Sequence, residues 1–302
     1  MSFLPTPPAT RALGPGGKEI SSLAWGMWRF EGDNIESAQG LVQAALDAGI
    51  TFFDTADIYG FNGTDGFGDA EILLGKVFKS SPRLRDAMVL ATKGGIMPPV
   101  PYDQSRDYVM AALDASLSRL GVDQVDLWQV HRPDILTHPH ELARTLEDMV
   151  KSGKVGAIGV SNFTPSHIAA LQKFLTVPLA SVQPEFSALH LEPIENGLFD
   201  LSMEMGTAVL AWSPLGQGRI AQPSSKREQD VAQALDSIAK AQGVSRTAAA
   251  YSWIMAHPAG IIPIVGSQRA GRIAEAVDAF KVRWTRTQWY AVLVASRQEP
   301  LP

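Results

Sequence analysis

The chain has 302 residues, 45% hydrophobic and 19% charged, with a formal net charge of -5, a balance that fits a globular protein and gives no basic footprint for nucleic acid or an acidic membrane. It has no cysteine, which removes disulfides, thiolate metal sites and cysteine nucleophiles and fits a reducing compartment. No stretch approaches the roughly 20 apolar residues of a membrane span and the opening MSFLPTPPATRALG has no leader pattern, so the expectation is a cytoplasmic protein, monomeric or weakly self-associating, with a small-molecule partner.

In chain order, RALGPGGKEISSL places turn chemistry between two short β-like stretches, which predicts a hairpin within about residues 1–22. Eight short β-type runs follow: LAWGMW at 23, TFFD at 51, AMVLAT at 87, VDLWQVH at 125, AIGVS at 157, ASVQPE at 180, TAVLAWS at 207 and GIIPIVGS at 260. Segments such as ESAQGLVQAALDAG and SRDYVMAALDASLSRLG lie between them with helical periodicity and terminal glycines. Eight alternations without an interior linker predict one α/β domain, a (β/α)8 TIM barrel over about 23–280, with a C-terminal helix and tail over about 281–302.

Barrel chemistry gathers where strands end, because the loops there converge on one cleft. Read in order, the ends carry Gly26, Met27 and Trp28, then Asp54, Lys93, His131, Ser161 with Asn162, Gln183, Trp212 with Ser213, and Gly266 with Ser267. Each alone reads as a cap or turn residue. Together they read as a site, with Asp54, Lys93 and His131 on three successive strands and Tyr59 on the loop above. GQGRIA at 216–221 fits a dinucleotide fingerprint, but the polar AQPSSKREQD follows where an amphipathic helix should receive the pyrophosphate, so no Rossmann unit is expected. HPH at 138–140 lacks a third ligand in view, and no metal is expected.

These segments resemble the aldo-keto reductases. FDTADIYG matches the family's Asp-x-x-x-x-Tyr segment, ATKGG its lysine strand, DLWQVHRPD its histidine strand, and GKVGAIGVSNF is close to a signature stretch; QPEFSALH, AWSPLGQGR and IVGSQRAGRIAEA follow in register. The resemblance spans nearly the whole chain and is strongest to a bacterial subgroup of predicted oxidoreductases. It implies a (β/α)8 barrel that reduces aldehydes or ketones of small molecules with NADP(H), or with NAD(H). Tyr59 would be the general acid, Lys93 the cation that lowers the phenol's pKa, Asp54 the counterion that steadies Lys93, and His131 a neutral hydrogen-bond donor.

The resemblance also implies the cofactor contacts. Trp212 would stack on the nicotinamide, while Ser161, Asn162 and Gln183 would hold its carboxamide. Ser213, Leu215, Gly216, Gly218 and Arg219 would lie along the pyrophosphate. Ser267, Gln268 and Arg272 would lie at the adenosine 2'-phosphate. The sequence departs from the family at Gly266, where a lysine is usual, and at Ala276, where an asparagine often contacts adenine. Trp28, Tyr59, Phe61, Met97 and His131 would line the substrate mouth. Two further readings are a barrel that keeps the cofactor as a redox sensor or regulatory subunit with little turnover, and a metal-dependent hydrolase, which would need more strand-end histidines and carboxylates than this chain has.

Overall fold

A computed structural model describes residues 2–301. Ten strands form: β1 (Thr10–Ala12), β2 (Glu19–Ser21), β3 (Ala24–Gly26), β4 (Phe52–Asp54), β5 (Val89–Gly94), β6 (Val125–Val130), β7 (Val155–Ser161), β8 (Ser181–Gln183), β9 (Ala208–Ala211) and β10 (Ile262–Val265). The first two pair antiparallel as a separate hairpin, and the other eight close into a parallel barrel in the order β10-β3-β4-β5-β6-β7-β8-β9. All eight runs read from the sequence become barrel strands.

Strand alternation divides the core. One face of each strand packs outward on the helices; the other fills the barrel with Ala24, Phe52, Ala91, Leu127, Leu210, Ile262 and Ile264. Leu13 and Ile20 of the hairpin belong to this inner cluster, so the hairpin closes the barrel's N-terminal end. Asp126 fastens it there, accepting from Lys18 at 2.5 Å, from Arg85 at 3.0 Å and from the Leu90 amide at 2.8 Å.

At the opposite end the inward positions turn polar. The register pairs Gly26 with Asp54, Lys93 with Gln129 and Ser161 with Gln183, and hydrogen bonds from Lys93, Gln129 and Gln183 to Asp54 draw these strand ends together. Gly159 makes room among them: a Cβ there would sit 2.0 Å from Ser181 Oγ.

Several helices start on side-chain caps, as the polar residues before them favour. Asn34 caps Ile35–Asp47, Ser225 caps Lys226–Gln242 and Thr285 caps Arg286–Arg297. His138 caps Pro139–Lys151 through Nδ1, which accepts from the His140 amide at 3.1 Å. The helix at Lys226–Gln242 corrects the sequence reading of AQPSSKREQD, because its first turn is polar and its buried face begins only at Val231 apart from Glu228.

Candidate active site

Lys93 is fully buried, with 0% exposure, and spends its three N–H donors at short range: on Asp54 Oδ2 at 2.7 Å, the Thr55 carbonyl at 2.8 Å and the Tyr59 hydroxyl oxygen at 2.9 Å. Position 93 faces inward on β5 two residues beyond Ala91, the register partner of Asp54 on β4, and a turn in which the Tyr59 amide donates to Ala56 O folds the tyrosine back over them. Burial pushes the ammonium's pKa down, but Asp54 and Tyr59 together carry it above the ordinary lysine range. Because Tyr59 accepts from Lys93, its own proton is left for another partner.

The phenol does not behave as expected. Burial raises the Tyr59 pKa more than Lys93 lowers it, and Asp54 adds to the rise, so the group lies above the ordinary tyrosine range. The counterion that makes a buried lysine tolerable also opposes its pull on the phenol.

His131 follows β6 with its ring 5.8 Å from that of Tyr59, nearly edge-on. Burial, then Lys93 and Arg132, hold its pKa well below the usual histidine value, so the imidazole is neutral near neutral pH. Its Nδ1 is buried without a partner, which leaves Nε2 as the nitrogen available to a ligand. Trp28, 61% exposed, stands edge-on to Tyr59 at 5.0 Å. Met97 is half-buried in the loop after β5. Phe61 packs instead on Phe67 at 6.2 Å, a contact separate from the Trp28, Tyr59 and His131 cluster.

A layer of amides lies beneath this group; Gln183 was picked out from the sequence as a nicotinamide contact, whereas Gln129 and its partner Ser181 were not. Asp54 Oδ1 accepts from Gln183 Nε2 at 3.0 Å and Gln129 Nε2 at 3.2 Å, and Gln129 Oε1 accepts from Ser181 Oγ at 3.1 Å. The available signal was alternation, since Leu127, Gln129 and His131 face one side of a strand and two of the three are polar.

Several groups expected to face the nicotinamide already have partners. Ser161 Oγ donates to Gln183 O at 2.9 Å, and Asn162 Nδ2 donates to His131 O and Ser161 Oγ, both at 3.0 Å. Asn162, at φ 61°, accepts from Trp212 Nε1 at 3.0 Å. Asn162 therefore orients the indole rather than presenting a free amide, and Gln183 is turned towards Asp54.

Beyond β9 the backbone coils tightly, with positive φ at Ser213, Gly216, Gln217 and Gly218. The Gly216 amide donates to Ser213 O at 2.8 Å and the Gly218 amide to Leu215 O at 3.1 Å, so these two amides serve the turn itself. Those of Leu215 and Gln217 have no acceptor among the described residues and fit a phosphate. Arg219, expected as a countercharge, donates to Gly216 O at 2.8 Å and lies 3.8 Å from Glu228, which takes up part of its charge.

At β10, Gln268 Nε2 donates to Gly26 O at 3.1 Å while Gln268 Oε1 is buried unpaired. The Met27 amide is taken by Asp54 O at 3.0 Å, and Ser267 O accepts from Trp25 Nε1 at 2.9 Å. Arg269 and Arg272 are exposed without a carboxylate partner among the described residues. Gly266 has no positive φ, and a Cβ there would meet nothing within 4 Å. Unpaired amides and two unpaired guanidiniums along this rim fit the phosphates of a dinucleotide, and the orphaned amide oxygen can accept from its sugar or base.

A model of the aldo/keto reductase family matches residues 22–293. The 6-dehydroglucose reductase of Novosphingobium aromaticivorans is 62% identical over 304 residues, covering 100% of both chains. That of Agrobacterium fabrum is 38% identical over 90% of this chain and 93% of its own. A solved thermostable aldo-keto reductase, in complex with the inhibitor epalrestat, superimposes with a TM-score of 0.81 at 24% identity over 95% of this chain and 99% of that one, a likeness of fold. The barrel, its polar mouth and these matches together make the chain a member of the aldo/keto reductase family, an oxidoreductase acting on carbonyl groups.

Proposed function

We propose that the chain reduces the aldehyde of a hexose oxidised at carbon 6, 6-dehydroglucose or an analogue, with NADPH as the hydride source and Tyr59 as the acid. The observation that carries the acid assignment is the Lys93 ammonium, 2.9 Å from the Tyr59 oxygen and 2.7 Å from Asp54. The sugar substrate rests on the name of the relative that is 62% identical over its whole length.

Bound at the mouth, the cofactor supplies a hydride to the carbonyl carbon. The oxygen then needs a proton, which Tyr59 gives to a developing alkoxide far more basic than a phenolate, so a raised phenol pKa is no obstacle. Lys93 stabilises the phenolate left behind, and Asp54 keeps the ammonium in place when Tyr59 is neutral. Neutral His131 donates a second hydrogen bond to the same oxygen. Trp212, held by Asn162, offers a flat face for the nicotinamide.

NADP is favoured over NAD by the unpaired charges of Arg269 and Arg272. Arg272→Ala is expected to weaken NADPH binding by about 10-fold or more and leave NADH nearly unchanged, the scale of one charge-assisted contact. Gly266→Lys should fold normally and tighten NADPH, since its backbone and surroundings accept a side chain. Equal losses for both cofactors in Arg272→Ala would assign that residue to the adenine or the fold.

The test of the whole reading is NADPH consumption with 6-dehydroglucose beside a panel of unrelated aldehydes, with glucose identified as product. Higher kcat/KM for the sugar is expected. Tight NADPH binding with no turnover of any aldehyde would favour a sensor.

A further inference from the structure

We propose that Gln129 is a positioning residue for the proton-donating group, acting on Tyr59 through Asp54 and Lys93; the inference rests on the reading of Tyr59 as the acid. A carboxylate can rotate about the bond that carries it, and in Asp54 its plane is fixed by amides on one oxygen and the ammonium on the other. Oδ1 takes two of them, from Gln129 and Gln183, and Oδ2 faces Lys93.

The orientation of the Gln129 amide follows from its other partners. Oε1 accepts from Ser181 Oγ at 3.1 Å and from Gln183 Nε2 at 3.4 Å. A flipped amide would set its NH2 against the Gln183 NH2 and its oxygen against the Asp54 carboxylate, two like contacts in a buried site. Gln129 and Ser181 are both 0% exposed, so no solvent can compensate. Gly159 keeps the space open, because a Cβ there would lie 3.2 Å from Gln129 Cγ as well as against Ser181. Ser181, Gln129, Asp54, Lys93 and Tyr59 thus form one continuous line of hydrogen bonds from β8 to the phenol.

Loosening this line lets Asp54 turn and draws the ammonium off the Tyr59 oxygen; Lys93 lowers the phenol's pKa by charge and by hydrogen bond and outweighs the opposing push of Asp54, so the net effect of losing both is a further rise. The test compares wild type, Gln129→Met, which keeps the bulk and removes both amide functions, and Ser181→Ala, which removes only the orienting donor. Thermal melting checks folding. Phenolate absorbance against pH, corrected with Tyr59→Phe, reads the Tyr59 titration whether or not the protein turns over.

Gln129→Met is expected to move that titration upward by about half a unit or more, with a smaller shift for Ser181→Ala. It should lower kcat about 10-fold with KM and NADPH affinity within about two-fold, the split expected when a transition-state interaction is weakened. A Tyr59 titration that stays in place in folded Gln129→Met overturns the proposal. If Gln129→Met does not fold, an unmoved titration in Ser181→Ala overturns it. Failure of wild type to reduce any carbonyl would instead overturn the proposed function, leaving the titration shift to stand or fall separately.

Discussion

Lys93 keeps a charge with no solvent contact because three acceptors surround it, and each contributes differently to the site. Lys93→Met removes the cation from Tyr59 altogether, whereas Asp54→Asn leaves it there with Thr55 O as a remaining partner. Turnover with one aldehyde is therefore expected to fall further in Lys93→Met. Both variants break the buried ion pair on one side, so each should lose stability by about 3 kcal/mol or more in urea denaturation. A larger turnover loss in Asp54→Asn would reverse this division of labour. Asp57, two residues before Tyr59, is a carboxyl whose two oxygens are buried unpaired. Burial first, then Glu71, raise its pKa well above the carboxylate range. The folded state therefore favours the neutral acid, and this contribution to stability is present at acid pH and lost as pH rises through the raised value. Asp57→Asn should flatten that loss, so wild type should weaken relative to it as pH rises above the ordinary carboxylate range towards the raised value. Parallel urea midpoints across that range would show that Asp57 ionises without cost.

Among the elements, the helix Lys226–Gln242 shows where patterning failed and where a local signal remained. Its first turn is polar, and its apolar face, with Val231, Leu235 and Ile238, comes later. The spacing Ser225 to Glu228 is nevertheless that of a capping box, and both halves of the box form. Glu228 accepts from the amides of Ser225 and Ser224 and from the Ser224 hydroxyl, which hold its pKa down at about 2. Such a lowered group stabilises the fold above the ordinary glutamate range and ceases to as pH falls towards about 2. Glu228→Gln is therefore expected to lower the melting temperature at neutral pH, with the difference from wild type closing on acidification. A constant difference at every pH would mean that the cap acts by shape alone. The strands were legible because each is a short apolar run between turns. The amide layer was legible only at Gln183, because Gln129 on β6 meets Ser181 and Gln183 on β8 through a barrel pairing that no local pattern reveals.

Across the molecule, the barrel separates two tasks. Its N-terminal end is apolar and stoppered by Leu13 and Ile20, while its C-terminal end collects buried polar groups, of which Asp54, Gln129 and Gln183 satisfy one another across strands. The strand-end candidates Asp54, Lys93 and His131 meet Tyr59 there, as their order in the chain implied. The sign of the phenol's pKa shift was not readable from residue types, since it depends on how completely the loop covers Tyr59 and how far Asp54 cancels Lys93. The decisive comparison is wild type against Tyr59→Phe in NADPH-dependent reduction of 6-dehydroglucose, with NADPH binding followed by tryptophan fluorescence. A loss in kcat of about 100-fold or more is expected, with cofactor affinity within about two-fold of wild type. Turnover close to wild type in Tyr59→Phe would contradict the assignment of Tyr59 as the proton donor.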